Sequence, residues 1–472
     1  MRNKIILLIF ALWLPLAGCG ANMTLMSAAD EARIGRDSHP KIVAEFGGVY
    51  DNPQLTAYVE RVFKRMVAAS DKPDATYQIT ILDSPVVNAF ALPGGYTYVT
   101  RGLLAIANNE AELAGVIGHE IAHVTERHGA RRHSTQVLTE IFVMVLEKAA
   151  QQTGVDPDLA GEVINVGGNL VVLGYSRSNE YDADSLGIEA LARAGYDPKG
   201  QAGLLLGLER QAAFSGHSGS GNDWFSTHPN SDDRVAKAYE KAAVQKLDGT
   251  PDIGAAQHLQ AINGMVFGEA ASQGFVRNTR FVHPNLRIAF SVPEGFTLIN
   301  QPERVVGQSK SGIQIIFDIA PRKGRQSPTD YIKNDWASGQ NLEQVTKLRV
   351  DGTSSALAQL YKDRNYVGLL AIGYSDTQFL RFAVLAPNAQ ASTGEAVMNV
   401  LRRNFENLSA YQANNTKPLR IRIITVQSGD TLKNLSRYMK VNTRQQEVLQ
   451  MINGFDENTK LTPGQRIKIV AY

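Results

Sequence analysis

The sequence predicts a multidomain chain: a mainly α-helical domain with a small β-sheet, then an α+β region, then a small βααβ module. Helical periodicity dominates the first half, strand-like runs replace it after about residue 275, and a polar stretch from Ala410 to Pro418 precedes the last module. At 472 residues with 43% hydrophobic side chains, three cores can be filled. A net charge of +2 gives no ground for nucleic-acid binding. The expected boundaries are a leader over 1–18, a first domain over 19–275, an accessory domain over 276–408, a linker over 409–419 and a final module over 420–472.

The leader follows from Arg2 and Lys4 before an apolar run from Ile5 to Leu14, too short to span a bilayer and suited to a signal segment. Leu16-Ala17-Gly18-Cys19 resembles a bacterial lipobox, which implies acylation of Cys19 and anchoring to a membrane. Gly20 after it favours the outer membrane by analogy with lipoprotein sorting. Cys19 is the single cysteine, so no intramolecular disulfide can form.

Residues 30–69 read as helices, with Leu55, Tyr58, Val59, Val62, Phe63 and Met66 on one face. Tyr77 to Leu82, Val87 to Ala91 and Tyr96 to Thr100 read as strands, with Pro93-Gly94-Gly95 turning the last pair.

The chemistry centres on His119-Glu120-Ile121-Ala122-His123. On a helix the two histidines fall one turn apart on one face, so both imidazoles can hold one zinc ion, and Glu120 is placed to take a proton from the attacking water. Asn108 and Asn109 offer N-caps, and Glu110 and Glu112 put negative charge in the first turn. Gly115 and Gly118 point to close packing against a neighbour.

A catalytic zinc takes three protein ligands. Glu180 in Ser178-Asn179-Glu180-Tyr181-Asp182-Ala183-Asp184 is the best third candidate, with Ser178 able to cap its helix. Glu180 and Asp184 share a helix face, so one can bind metal while the other holds a ligand histidine. Residues 135–175 read as helical, and residues 215–221 as a flexible loop, either a lid or a connector. Thr227-His228-Pro229 precedes Ser231, a candidate N-cap, and Arg234 one turn on. His128 and His133 are assigned no ligand role, and His39, His217, His258 and His283 have no supporting constellation.

Asn109-Glu110-Ala111-Glu112-Leu113, the His119–His123 motif and Asn179-Glu180-Tyr181-Asp182-Ala183-Asp184 together resemble the HtpX/CAAX-prenyl-endopeptidase family of gluzincins, in its soluble periplasmic BepA/LoiP-like branch. The resemblance covers about residues 27–270 and includes Asn88-Ala89-Phe90-Ala91-Leu92-Pro93-Gly94-Gly95 and Ser226-Thr227-His228-Pro229. It implies a zinc peptidase with one zinc per subunit: His119, His123 and Glu180 as ligands, Glu120 as catalytic base, and Asp184 and Arg234 as supports. His228 would stabilise an oxyanion or cap the zinc and silence it. Asn88, Ala89, Phe90 and Ala91 would line the cleft, where an extended substrate adds its backbone to a sheet edge.

Beyond residue 275, Arg287 to Phe296, Gly312 to Ile319, Ser355 to Tyr361, Tyr366 to Ser375 and Phe379 to Ala386 read as strands, and Ser327 to Trp336 and Thr393 to Asn404 as helices. The region resembles a PsbP-like sandwich in pattern, not in motif. Val426-Gln427-Ser428-Gly429-Asp430-Thr431-Leu432 resembles the opening of a LysM domain, with Leu449, Asn453, Leu461, Pro463-Gly464 and Ile467-Lys468-Ile469 where its second helix and closing strand fall. That implies binding of N-acetylglucosamine-containing glycan, hence peptidoglycan, near Gly429, Asp430, Thr431, Asn453 and Gly454.

The expectation is a zinc metalloendopeptidase of the bacterial periplasm, lipid-anchored at Cys19, acting on misfolded or misassembled envelope proteins. A chaperone or assembly scaffold for outer-membrane proteins and a peptidoglycan-directed hydrolase are the alternatives.

Overall fold

The computed structural model describes residues 26–132, 175–215, 223–229 and 233–472. The leader with Cys19, His133, His217, Ser231 and most of the expected helical stretch 135–175 and loop 215–221 lie outside the described residues.

Helices α1 (Ala28–Glu45) and α2 (Pro53–Ala68) open the first domain. Asn52 caps α2 through its side chain, and the six expected apolar positions are its buried ones. Strands β1 (Gln78–Leu82), β2 (Ala89–Leu92) and β3 (Tyr96–Thr100) form a sheet in the order β1-β3-β2, which leaves β2 at an edge. Gly94 and Gly95, with φ of 85° and 84°, supply the positive angles that turn β2 into β3. Helices α3 (Arg101–Ile106), α4 (Glu110–Thr125), α5 (Arg177–Arg193), α6 (Lys199–Ser215), α7 (Trp224–Thr227), α8 (Arg234–Ala243) and α9 (Ala255–Ile262) complete the domain.

α4 is the buried axis, and nearly every residue of it is out of solvent. Its glycines explain how: a Cβ on Gly115 would sit 2.9 Å from the Gln201 backbone on α6, and one on Gly118 would sit 3.3 Å from Gly187 on α5. Missing side chains let three helices approach closely enough to aim their polar groups at one point.

The accessory domain is all antiparallel. Strands β4 (Phe275–Arg277), β5 (Arg280–His283) and β6 (Ile288–Ser291) join β14 (Glu406–Asn407) in a four-stranded sheet. Strands β7 (Phe296–Gln301), β8 (Arg304–Ser309), β9 (Gln314–Pro321), β10 (Gln344–Val350), β11 (Thr353–Lys362), β12 (Asn365–Ile372) and β13 (Gln378–Pro387) make a seven-stranded sheet in the order β10-β11-β12-β13-β9-β8-β7. Both faces of that sheet are covered. Leu380, Phe382 and Val384 pack with helix α11 (Ala391–Asn404), while Phe379 on the opposite face stacks on Tyr331 of α10 (Pro328–Tyr331). Sequence reading missed β7 and β10, edge strands with only one buried side chain each, and also the short strands β4, β5 and β8.

The segment expected as a linker contains a short helix, α12 (Ala410–Asn415), whose N-terminus is held by a capping box between Ser409 and Gln412. The final module has the expected βααβ order: β15 (Arg420–Thr425), α13 (Leu432–Leu435), α14 (Gln445–Asn453) and β16 (Arg466–Ala471), with β15 and β16 antiparallel. Residue 420 does not divide two cores, however. Val448, Leu449, Ile452 and Ile469 belong to the same buried cluster as Leu104, Leu205 and Leu208. The backbone of β15 also bonds to residues 264–267 of the first domain, including Ile421 N–H to Met265 O at 2.9 Å.

Candidate metal centre

α4 starts at Asn109, whose side chain accepts the Glu112 N–H. Its first turn is then locked: Arg61 donates two hydrogen bonds to Glu110, at 2.9 and 2.6 Å, and the Tyr196 hydroxyl adds a third at 2.6 Å. Three turns on, His119 and His123 project from one face with their Nε2 atoms 3.0 Å apart.

α5 brings Glu180 to the same point. Its cap is Ser176, not Ser178 as expected, because the chain is already helical from Arg177 and it is Ser176 whose side chain accepts from Asn179 N–H. Glu180 lies 3.5 Å from each histidine Nε2, and His228, at the end of α7, completes the group with Nδ1 3.3 Å from His119 Nε2 and 3.1 Å from Glu180 Oε1. The four ligand atoms all fall within 4.8 Å of one another. A tetrahedral zinc with bonds of about 2.0–2.1 Å holds its donor atoms about 3.3–3.5 Å apart, so this donor set fits the ion.

Glu120 is fully buried, and its carboxylate oxygens have no hydrogen-bond partner among the described residues; His228 Nε2 stands 3.4 Å from Oε1. Behind the ligands, Asp184 Oδ1 lies 2.9 Å from His119 Nδ1. Arg234 clasps Asp184 with two 2.9 Å bonds and reaches Glu180 Oε2 with a third contact of 2.9 Å. Gln201 Nε2 donates to Asp184 Oδ1 at 2.9 Å.

The electrostatics suit a cation. Burial works to raise the Glu180 pKa, but His228, His119 and His123 overcome it and hold the carboxylate ionised. Burial likewise opposes ionisation of Asp184, yet His119 and Arg234 bring its pKa down to about 2. Burial disfavours charge on His119, and the Asp184 and Glu180 carboxylates outweigh it, raising its pKa to about 9. Burial pushes the Glu120 carboxyl up, the direction a proton-accepting base requires.

The edge strand β2 runs beside α4, and a small crevice lined by Ala91, Leu92, Pro93, His123 and Tyr175 lies between them. The expected cleft side chains are not all available. Asn88, Ala89 and Phe90 are buried, and Phe90 packs on Phe46 and Tyr98 in a separate small cluster, so only the backbone edge and Ala91 remain for a substrate. In the last module, Asn453 donates to Leu449 O and Lys468 O, and Gly454 O accepts from Arg210 of α6, so both are engaged internally. Asp430 accepts from Gln427 N–H and Thr431 caps α13, while Gly429 and Thr431 stay exposed.

Three aromatic contacts were not foreseen. Tyr175 stacks on His123 at 3.9 Å, Trp224 stacks on His228 at 4.1 Å, and the ring of His128 meets that of His123 at 5.0 Å. Trp224 precedes His228 by one helical turn, a spacing that was readable; the other two pairings arise from turns and distant segments.

Residues 53–242 match the profile of Peptidase family M48. The matched segment carries all four candidate ligands, Glu120, Asp184 and Arg234, and is similar to metalloprotease domains. Over 212 residues the chain is 32% identical to the mitochondrial metalloendopeptidase OMA1 of Schizosaccharomyces pombe, covering 44% of this chain and 60% of that one. It is 30% identical over 236 residues to the beta-barrel assembly-enhancing protease of Escherichia coli K12, covering 48% of this chain and 47% of that one. The chain thus spans only about half to three fifths of these relatives. A cyanobacterial PsbP from Synechocystis aligns with 28% of the chain and 95% of its own, at 13% identity and a TM-score of 0.23, a likeness too slight to carry an argument.

Proposed function

We propose that this protein is a zinc-dependent endopeptidase of the bacterial cell envelope that hydrolyses misfolded or misassembled envelope proteins. The observation that carries the reading is the convergence of His119, His123, Glu180 and His228 beside the fully buried carboxylate of Glu120. Bound there, zinc supplies Lewis-acid activation of water and of the scissile carbonyl. His119, His123 and Glu180 hold the ion; Glu120 accepts the proton of the attacking water and returns it to the leaving amine. Asp184 and Arg234 keep His119 and Glu180 in place. A substrate strand lies along the edge of β2, so recognition reads backbone more than side chains.

His228 occupies the fourth ligand position at rest. It is fully buried and contacts both Glu180 and Glu120, so it must leave before substrate enters.

The envelope location rests on the charged and apolar leader and on Cys19, whose acylation would anchor the chain to the outer membrane. Among the described residues no helix is long and apolar enough to cross a membrane. Peptidoglycan contact through the last module belongs to the same proposal, with exposed Gly429 and Thr431 as its surface.

Metal analysis of the purified protein, with digestion of casein compared against purified sacculi, tests the reading. Stoichiometric zinc and casein cleavage are expected. Cleavage of sacculi alone would instead favour a cell-wall hydrolase, and chaperone activity without any hydrolysis would favour a scaffold.

A further inference from the structure

His128 follows the metal-binding helix but is no member of the ligand group. The chain leaves α4 through Arg127, a non-glycine residue with φ of 56°, and reverses so that His128 points back at the site. That costly conformation is held from outside: Arg127 donates to Glu31 of α1 at 2.6 Å and to the Met26 carbonyl at 2.6 Å. The result is a ring 1% exposed, with its Nδ1 2.9 Å from Nδ1 of His123.

Two facing imidazole nitrogens at that distance share one proton. When His123 gives Nε2 to a metal, its own proton sits on Nδ1, which must then donate. His128 Nδ1 is therefore the acceptor, and its proton resides on Nε2, a buried atom with no hydrogen-bond partner among the described residues. Tyr175 meanwhile stacks on the face of His123 with an interplanar angle of 15°. The in-plane bond sets the rotation of the ring and the stack sets its tilt.

We propose that His128 is a positioning residue: it accepts the Nδ1 proton of His123 and thereby fixes the tautomer and orientation in which His123 binds zinc. The two ligand histidines are thus supported differently, His119 by the Asp184 carboxylate and His123 by a neutral imidazole. The inference rests on the zinc reading above and adds to it a residue whose role is carried through His123 alone.

Zinc affinity, read by competition with a chromogenic chelator, tests it. His128→Leu and His128→Phe remove the acceptor while keeping apolar volume, and either suffices should the other fail to fold. His128→Asn places its Oδ1 close to the lost Nδ1. Loss of such an outer partner typically weakens metal binding by about 10–100-fold. That loss is expected for the apolar variants, with most of it restored in His128→Asn and with the metal-free melting temperatures of the asparagine and apolar variants alike. Affinity in the apolar variants within about twofold of wild type would overturn the proposal, as would an asparagine variant no better than they are. If the wild-type chain itself takes up no zinc, the functional reading fails first and this inference falls with it; zinc uptake indifferent to residue 128 sinks this inference alone.

Discussion

Nζ of Lys468, on the last strand, lies 2.7 Å from the carbonyl oxygen of Ala107, just past the end of α3. The same ammonium donates to Ala105 O at 2.9 Å, and His258 Nε2 approaches Ala107 O at 3.0 Å. Carbonyls at a helix end have no partner within their own helix. Here the C-terminal strand provides one, two residues before the Asn109 cap of the metal-binding helix. The last module is thereby a structural part of the first domain.

Replacing Lys468 by methionine should therefore lower the stability of the whole first domain. Each buried carbonyl left without a donor costs about 1–3 kcal/mol. A single cooperative melting transition at reduced temperature is expected, and an unchanged transition would show that the module rests on the domain without supporting it.

His258 predicts a pH dependence. Burial, with Lys468 nearby, depresses its pKa from 6.5 to about 3. Below 6.5 the unfolded chain takes up a proton that the folded chain refuses. The His258 contribution is therefore complete above pH 6.5 and falls away as the pH drops toward 3, at up to about 1.4 kcal/mol per unit. Denaturant titrations between pH 6.5 and 5 should show a shallower slope in His258→Asn than in wild type; equal slopes would exclude this origin.

Glu120→Gln should retain zinc yet lose about 10²–10⁴-fold in casein hydrolysis, because the base goes while every ligand stays. Near-normal turnover in a zinc-loaded variant would remove Glu120 from its role. His119→Ala and Glu180→Ala should lower zinc content along with activity.

His228→Ala should raise basal activity, since the resting occupant of the fourth position is gone. A fall of about 10²–10³-fold would instead make His228 an oxyanion stabiliser. No change in either activity or zinc affinity would place it outside the reaction.

Gly115→Ala should destabilise by about 1–3 kcal/mol, as its Cβ would press on the Gln201 backbone, which has little room to yield. Displacing Gln201 also loosens its bond to Asp184, so zinc affinity should fall with the melting temperature. Thermal melts with and without zinc separate the two effects.

Local pattern explains what is legible in the sequence. The buried face of α2, the three short strands, the pairing of His119 with His123 and the shared face of Glu180 and Asp184 all follow from periods of 3.6 and 2. Gly115 and Gly118 announced close packing before their neighbours were known. Phe90 shows where resemblance reaches too far: its strand was legible from pattern, but the cleft position implied for its side chain gives way to burial against Phe46 and Tyr98, which depended on α1 and the sheet folding over it.

The sequence by itself therefore determined which side chains could share one metal site, because metal ligation and base catalysis need particular side chains at spacings a single helix dictates. Tertiary structure decided which groups stand behind that chemistry. Tyr175 and His128 meet His123 only after a left-handed turn and a distant segment close around it. Lys468 sits in a strand where a lone lysine reads as solvent-facing, and only the packing of β16 on α3 shows its ammonium buried among carbonyls. The Lys468 contacts join residues hundreds of positions apart, the His128 contact depends on a turn, and no local periodicity records either.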